Sequence, residues 1–203
     1  MSTIREENYF SNSSLPLILA LSSGGEPVRW IDYEKCAYYY TKDKILWTLG
    51  STEIKLHGGT NAISGKQSVL KMDSIVAINF NKSFKKKDYR PLLTNRTLFE
   101  RDRYLCAYCG KTHPRHKLTR DHVHPISDGG LDMWENCVTA CRACNQYKGS
   151  KSLQKSGLEL FYVPYAPSLN EHLILQNRKI LTDQMEFLIK GVSKNSRLLL
   201  LKN

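Results

Sequence analysis

Two cysteine pairs, Cys106-Ala107-Tyr108-Cys109 and Cys141-Arg142-Ala143-Cys144, stand 31 residues apart. A two-residue gap lets both sulfurs of a pair converge on one ion at a tight knuckle, and two knuckles complete a tetrahedral four-thiolate zinc site. Such a site keeps no open coordination position, so the expected Zn²⁺ is structural rather than catalytic. The spacing is longer than that of a short zinc ribbon, which leaves room for a functional element between the halves. Threaded there is "LTRDHVHPISDGG", in which Asp121 directly precedes His122 and a Pro/Gly-rich loop follows. Asn136 ends the loop, and Asn145 comes immediately after the last cysteine.

This set suits phosphodiester hydrolysis. A histidine is the natural side-chain base near neutral pH. A divalent cation can neutralise charge on a scissile phosphate and on the leaving oxygen. Hard cations such as Mg²⁺ prefer oxygen ligands, and Asp121 offers a carboxylate and Asn145 a carbonyl. Asn136 is suited to holding backbone across the hairpin and so orienting His122. Neighbouring strand residues point to opposite faces, so an irregular strand end is expected if Asp121 and His122 are to serve one metal. Arg142, Lys148 and Lys151 are candidate phosphate contacts, with a plain solvated face as the alternative. His124 reads either as a further phosphate contact or as a loop residue.

The residues that must position this set read as β-β-α. "HKLTRDHV" ends in a strand, "CVTAC" is a second strand, and "RACNQYKG" is a short helix closed by Gly149. At this point the chain resembles the HNH endonuclease family, on Asp121-His122, Pro125, Gly129-Gly130, "WEN", "ACRACN" and "KG". The resemblance runs from "RDRYLCAYCG" to "CNQYKGSK", about 50 residues. It implies a ββα-metal fold that cuts DNA with Mg²⁺ or Mn²⁺, in the four-cysteine zinc-containing bacterial form. Carried onto matching positions, it makes His122 the general base, Asn136 its orienting partner, and Asp121 and Asn145 the metal ligands. Asn145 stands where the family often has histidine and keeps an oxygen ligand. "PVRWIDYE", "LWTLG" and "YVPYAPS" are also similar to segments of longer bacterial HNH proteins.

The expected fold class is α+β in three parts. Residues 1–95 form a small N-terminal unit of mixed α and β structure. Here "PLILAL" and "KILWTLG" read as strands, and "IDYEKCAYYY" as a helix capped by Asp32. "EIKLHGGTNAISGKQSVLKM" reads as two strands about a glycine-rich turn, followed by "SIVAINF". Residues 96–152 form the zinc-stapled nuclease module. Residues 153–203 form a helical extension, with one long amphipathic helix built on Leu173, Ile180, Leu181, Gln184, Phe187 and Leu188. Ser168 is its expected N-cap. Its apolar face makes a homodimer conceivable.

A formal net charge of +11 over 203 residues points to an anionic partner, nucleic acid first, with an excess of lysine that only keeps the surface soluble as the alternative. Basic residues cluster at Lys82, Lys85, Lys86, Lys87 and Arg90, and again after the second cysteine pair. No stretch reaches the roughly 18 apolar residues of a membrane span. "MSTIREENYF" lacks the positive start of a secretory peptide, so the expected location is the cytoplasm. Six cysteines in a reducing compartment favour metal over disulfides. Isolated Cys36 and Cys137, with Trp134, read as core. The competing functions are a zinc-stapled DNA-binding module without catalysis, and an RNA nuclease, since nothing in the sequence reads a 2′-hydroxyl.

Overall fold

The structure, a computed structural model, describes residues 16–80 and 89–199. The N-terminal segment read for a leader and the lysines at 82, 85, 86 and 87 lie outside the described residues. The described chain gathers into two compact units. One runs to Tyr89 and takes in Gln176–Val192; the other is Arg90–Leu175 with the residues from Ser193 onward.

The first unit is a four-stranded sheet in the order β2-β1-β4-β3. Its strands are β1 (Ile18–Leu21), β2 (Pro27–Ile31), β3 (Ile45–Thr60) and β4 (Gln67–Ile78). All four residues of β1 are buried, as an inner strand of a covered sheet requires. It pairs antiparallel with β2 and parallel with β4. Helix α1 (Tyr33–Thr41) starts where expected: the Asp32 carboxylate accepts the Lys35 N–H at 2.6 Å. Cys36 and Tyr39, one turn apart, enter a core with Ile18, Ala20, Ile31, Ile54, Met72, Val76 and Ile78. Burial pushes the Cys36 thiol up to about 12, and nearby Asp73 and Asp32 add to this, so it is an inert core group.

Four features differ from the expectation, the first being that "QSVLKM" and "SIVAI" join in one strand, β4. β2 was not anticipated. "KILWTLG" and "EIKLH" are not separate strands but one, β3, whose ladder with β4 shifts register between Leu49 and Glu53 and so absorbs Gly50, Ser51 and Thr52. The single long C-terminal helix is two helices, α5 (Leu169–Gln176) and α6 (Thr182–Ile189). The break follows from Asn177, whose side-chain oxygen accepts the Lys179 N–H at 3.0 Å and offers the backbone a turn in place of the next helical bond. Ser168 does cap α5, accepting the Glu171 N–H at 3.2 Å. Leu173, Ile174 and Leu188 are buried within the single chain, which is one of the two ways the apolar face could be covered, while Ile180, Leu181 and Phe187 stay half-buried.

Helix α6 returns to the first unit through two polar side chains. Asp183 accepts the N–H groups of Ser51 and Thr52, both at 3.0 Å, and the Ser74 hydroxyl at 2.6 Å. Those are the amides that the β3 register shift frees. The fully buried Gln184 donates to the Leu17 and Ser74 carbonyls, each at 2.8 Å, and accepts the Leu181 N–H. Replacing Gln184 with leucine leaves these groups unpaired in the interior. We expect it to cost about 1–3 kcal/mol, read as a lower urea midpoint for the sheet.

The second unit contains α2 (Asn95–Arg101), the two-stranded antiparallel sheet of β5 (Leu118–His122) and β6 (Cys137–Cys141), α3 (Arg142–Lys148), α4 (Leu153–Ser156) and α5. Leu98, Phe99, Leu118, Trp134 and Cys137 form its core. Trp134 is anchored by its indole N–H on the Pro91 carbonyl at 2.8 Å. Arg101 and Asp102 form a fully buried ion pair at 2.8 Å. Arg101 also donates to the carbonyls of Trp134, Tyr165 and Cys137, and Asp102 accepts the Thr139 N–H, so the pair ties α2 to the loop, to β6 and to the Tyr165 segment. No described helix is long and apolar enough to cross a membrane.

Candidate active site and metal centres

The knuckle Cys106–Cys109 is closed by Gly110, whose N–H bonds the Cys106 carbonyl at 3.0 Å with φ at 66°. A side chain there would meet the Phe161 ring at 2.8 Å, so backbone conformation and close approach both demand glycine. Cys141 ends β6 and caps α3, and Cys144 lies on the first turn of that helix. The four sulfurs lie within 4.8 Å of one another. Burial pushes up the thiols of Cys109 and Cys144, which favours their release as thiolates only when a cation is bound. Cys106 behaves oppositely: burial opposes ionisation, but the backbone N–H groups of Cys109, Cys141 and Tyr108 outweigh it and lower its pKa. Four convergent sulfurs with N–H donors aimed at one of them suit Zn²⁺. His113 brings a ring nitrogen to 3.9 Å from Cys109 Sγ, outside the four-sulfur set.

Strands β5 and β6 pair in unbroken register from Leu118 opposite Cys141 to His122 opposite Cys137. The expected irregular strand end is therefore absent, and alternation holds. Thr119 and Asp121 face one side, where α3 packs. Asn145 donates to the Thr119 hydroxyl at 2.8 Å and the Arg120 carbonyl at 3.3 Å, which commits its amide nitrogen and turns its carbonyl oxygen elsewhere. The buried Asp121 carboxylate accepts from the Tyr108 hydroxyl and from Lys148 Nζ at 3.2 Å. Burial, and then Asp121, hold the Tyr108 hydroxyl far above its ordinary pKa, so it stays a donor.

Lys148 was expected as a phosphate contact, yet it is almost wholly buried, and its ammonium also reaches the His122 carbonyl at 2.7 Å. Helical spacing could have shown this, because Asn145 and Lys148 are one turn apart and must face the sheet together. Lys148→Met removes one partner of a buried ion pair. We expect it to cost about 3–5 kcal/mol in thermal or urea unfolding.

His122, half-buried, faces the other side of the ladder with Arg120. Its Nε2 lies 2.8 Å from Asp132, a residue that the sequence reading passed over. His122 and Asp121 nevertheless border one cavity of about 320 Å³, with Pro125, Ile126, Ser127, Lys148, Gly149 and Ser150, because the strand ends there. Asn136 sends its side-chain hydrogen bonds to backbone and not to the His122 ring. Its side chain clamps the loop, accepting the His124 N–H at 2.8 Å and donating to the carbonyls of His124 and Leu131 at 3.0 and 2.8 Å. Gly130 completes the loop: a Cβ there would stand 2.0 Å from the His124 carbonyl oxygen. Arg142 is exposed and lines a shallow hollow with Thr119, Asn145 and Gln146. His124 and Lys151 are exposed, the latter 5.1 Å over the Tyr147 ring.

Residues 106–161 match the HNH endonuclease family, and this segment of the chain is an HNH module. The chain is also 31% identical over 72 residues to the type IV methyl-directed restriction enzyme EcoKMcrA of Escherichia coli (strain K12), over 32% of this chain and 26% of that protein. The match thus spans about a quarter of the relative. A structural match to the type II-C Cas9 enzyme from Actinomyces naeslundii covers 52% of this chain and 12% of that one, at 21% identity and a TM-score of 0.28.

Proposed function

We propose that the HNH module makes this protein a divalent-metal-dependent DNA endonuclease, hydrolysing phosphodiester bonds with His122 as general base. The observation that carries this reading is the shared cavity: His122 and Asp121 border it from the end of β5, inside the segment that matches the nuclease family. The restriction-enzyme relative supports DNA as the substrate class.

Asp121 and the carbonyl oxygen of Asn145 are the oxygen donors assigned to Mg²⁺ or Mn²⁺, and binding there would displace Lys148 Nζ and the Tyr108 hydroxyl from the Asp121 carboxylate. When bound, the cation supplies charge neutralisation for the scissile phosphate and the leaving 3′ oxygen. His122 takes a proton from the attacking water, and the products carry a 5′-phosphate and a 3′-hydroxyl. Asn136 keeps the loop behind His122 fixed. Arg142, Lys151 and His124, all exposed, are assigned to phosphate contacts. Lys148 is assigned to the Asp121 carboxylate instead, compensating its charge. The zinc held by Cys106, Cys109, Cys141 and Cys144 is structural. One such centre per chain nicks a single strand, and a double-strand break takes two chains or two events.

The test is the purified protein with Mg²⁺ or Mn²⁺ on matched duplex DNA, single-stranded DNA and RNA. Cleavage of DNA with metal, abolished by EDTA, is the expected result. RNA cleaved with DNA intact makes it an RNA nuclease, and binding without cleavage of any substrate makes it a DNA-binding module.

A further inference from the structure

Strand alternation puts Arg120 and His122 side by side on the face of β5 away from α3, and the Asn136 clamp carries the loop back across that face. The residue delivered there is Asp132. Its Oδ1 receives His122 Nε2 at 2.8 Å and the Cys137 thiol at 3.2 Å, and Arg120 Nη1 bridges both carboxylate oxygens at 2.8 and 2.7 Å. Arg120 is itself fixed, with Nε on the Asn95 side-chain oxygen at 3.1 Å and Nη2 on the Leu93 carbonyl at 3.3 Å. The result is a chain, Asn95–Arg120–Asp132–His122, that ends on the imidazole.

We infer that Asp132 is the positioning residue of His122, fixing the ring with its proton on Nε2 so that Nδ1 carries the free electron pair that accepts the proton from water. The inference rests on the endonuclease reading of the same site. An ionised carboxylate only accepts hydrogen bonds, so the nitrogen facing it must be the N–H. Arg120, and then His122 itself, hold the Asp132 carboxyl down at about 2, so it is ionised wherever the enzyme would work. Its contribution is therefore present above the ordinary carboxylate pKa near 4 and lost as pH falls toward 2.

Two other roles fit less well. Stability alone is a poor reason for the pairing, because the Asp132 side chain is 53% exposed and exposed ion pairs contribute little. His122, Asp132 and Cys137 do bring three ligand atoms within 4.8 Å of one another. However, the Arg120 guanidinium already bridges both Asp132 carboxylate oxygens, which opposes a cation there.

Asp132→Ala and Asp132→Asn in the full chain, with ¹⁵N NMR of the His122 ring, test this. The wild type should show the Nε2–H tautomer, and Asp132→Ala a mixture. The kcat of DNA cleavage by Asp132→Ala should fall about 100-fold or more while KM and DNA affinity stay within about twofold. Asp132→Asn, which keeps an acceptor but loses the charge, should fall between the two. An unchanged kcat, or a wild-type ring protonated on Nδ1, overturns the assignment. A wild type that keeps the Nε2–H tautomer but leaves DNA intact overturns the nuclease reading, and leaves the pairing of Asp132 with His122 standing.

Discussion

Serine at Cys141, or zinc withdrawal by a strong chelator, is expected to unfold the Arg90–Leu175 unit and leave the sheet of β1–β4 folded. The reason is one of scale. The core around Leu98, Phe99 and Trp134 is small, and the cluster of Cys106, Ala140 and Cys141 depends on the knuckles themselves. Structural zinc contributes roughly 10–16 kcal/mol to such modules, as much as the whole net stability of an ordinary domain. Cys141 is also doubly placed, since it ends β6 and starts α3, so its loss frees the helix that carries Asn145 and Lys148. Binding requires thiolates, so retention of the metal weakens as pH falls. One zinc per chain by metal analysis, with loss of far-UV signal and of cleavage on chelation, is the expected outcome. A unit that unfolds at the same urea concentration with and without chelator would show that the four sulfurs hold no zinc.

The second large effect is at His122. His122→Ala should lower kcat by about 10²–10⁴-fold, the contribution of a positioned general base. It should do so without disturbing the fold: the side chain is only half-buried, and its hydrogen bond goes to the half-exposed Asp132. DNA affinity and zinc content should therefore be unchanged. That profile separates His122 from Lys148, whose replacement acts first on stability, and from Cys141, whose replacement acts on metal content.

Where local chemistry decides the outcome, the sequence was a good guide. Asp32 caps α1 because a carboxylate can reach an N–H three residues on, and two C-x-x-C pairs converge because their spacing allows little else. The β5-loop-β6-α3 order was legible from short apolar runs bounded by turn residues. Long-range pairing was less visible. Gly50 and Ser51 look like a turn, yet Asp183, far along the chain, accepts the freed amides and lets β3 run through. The apolar spacing around Ile180 and Leu181 looks helical, and the Asn177 side chain breaks it.

At the site the lesson is similar. Asp132 is one of three acids in a polar loop, with Asp128 and Glu135, and nothing local distinguishes it. It becomes visible only from register, because Cys137 stands directly opposite His122 and the loop before it must fold over that face. The alternation that was treated as an obstacle to joining Asp121 and His122 was itself the informative signal. It sets Thr119 and Asp121 toward α3, which carries Asn145, and His122 on the opposite side against Asp132.

The most direct test of the central claim is conversion of supercoiled plasmid by wild type and His122→Ala, each with Mg²⁺, Mn²⁺ or EDTA, with DNA binding measured in parallel at two salt concentrations. Nicking by the wild type with metal alone, and none by a variant that binds DNA with the same salt dependence, is the predicted result. If the two proteins nick at equal rates, or both bind and neither cuts, His122 is not the base of a working nuclease.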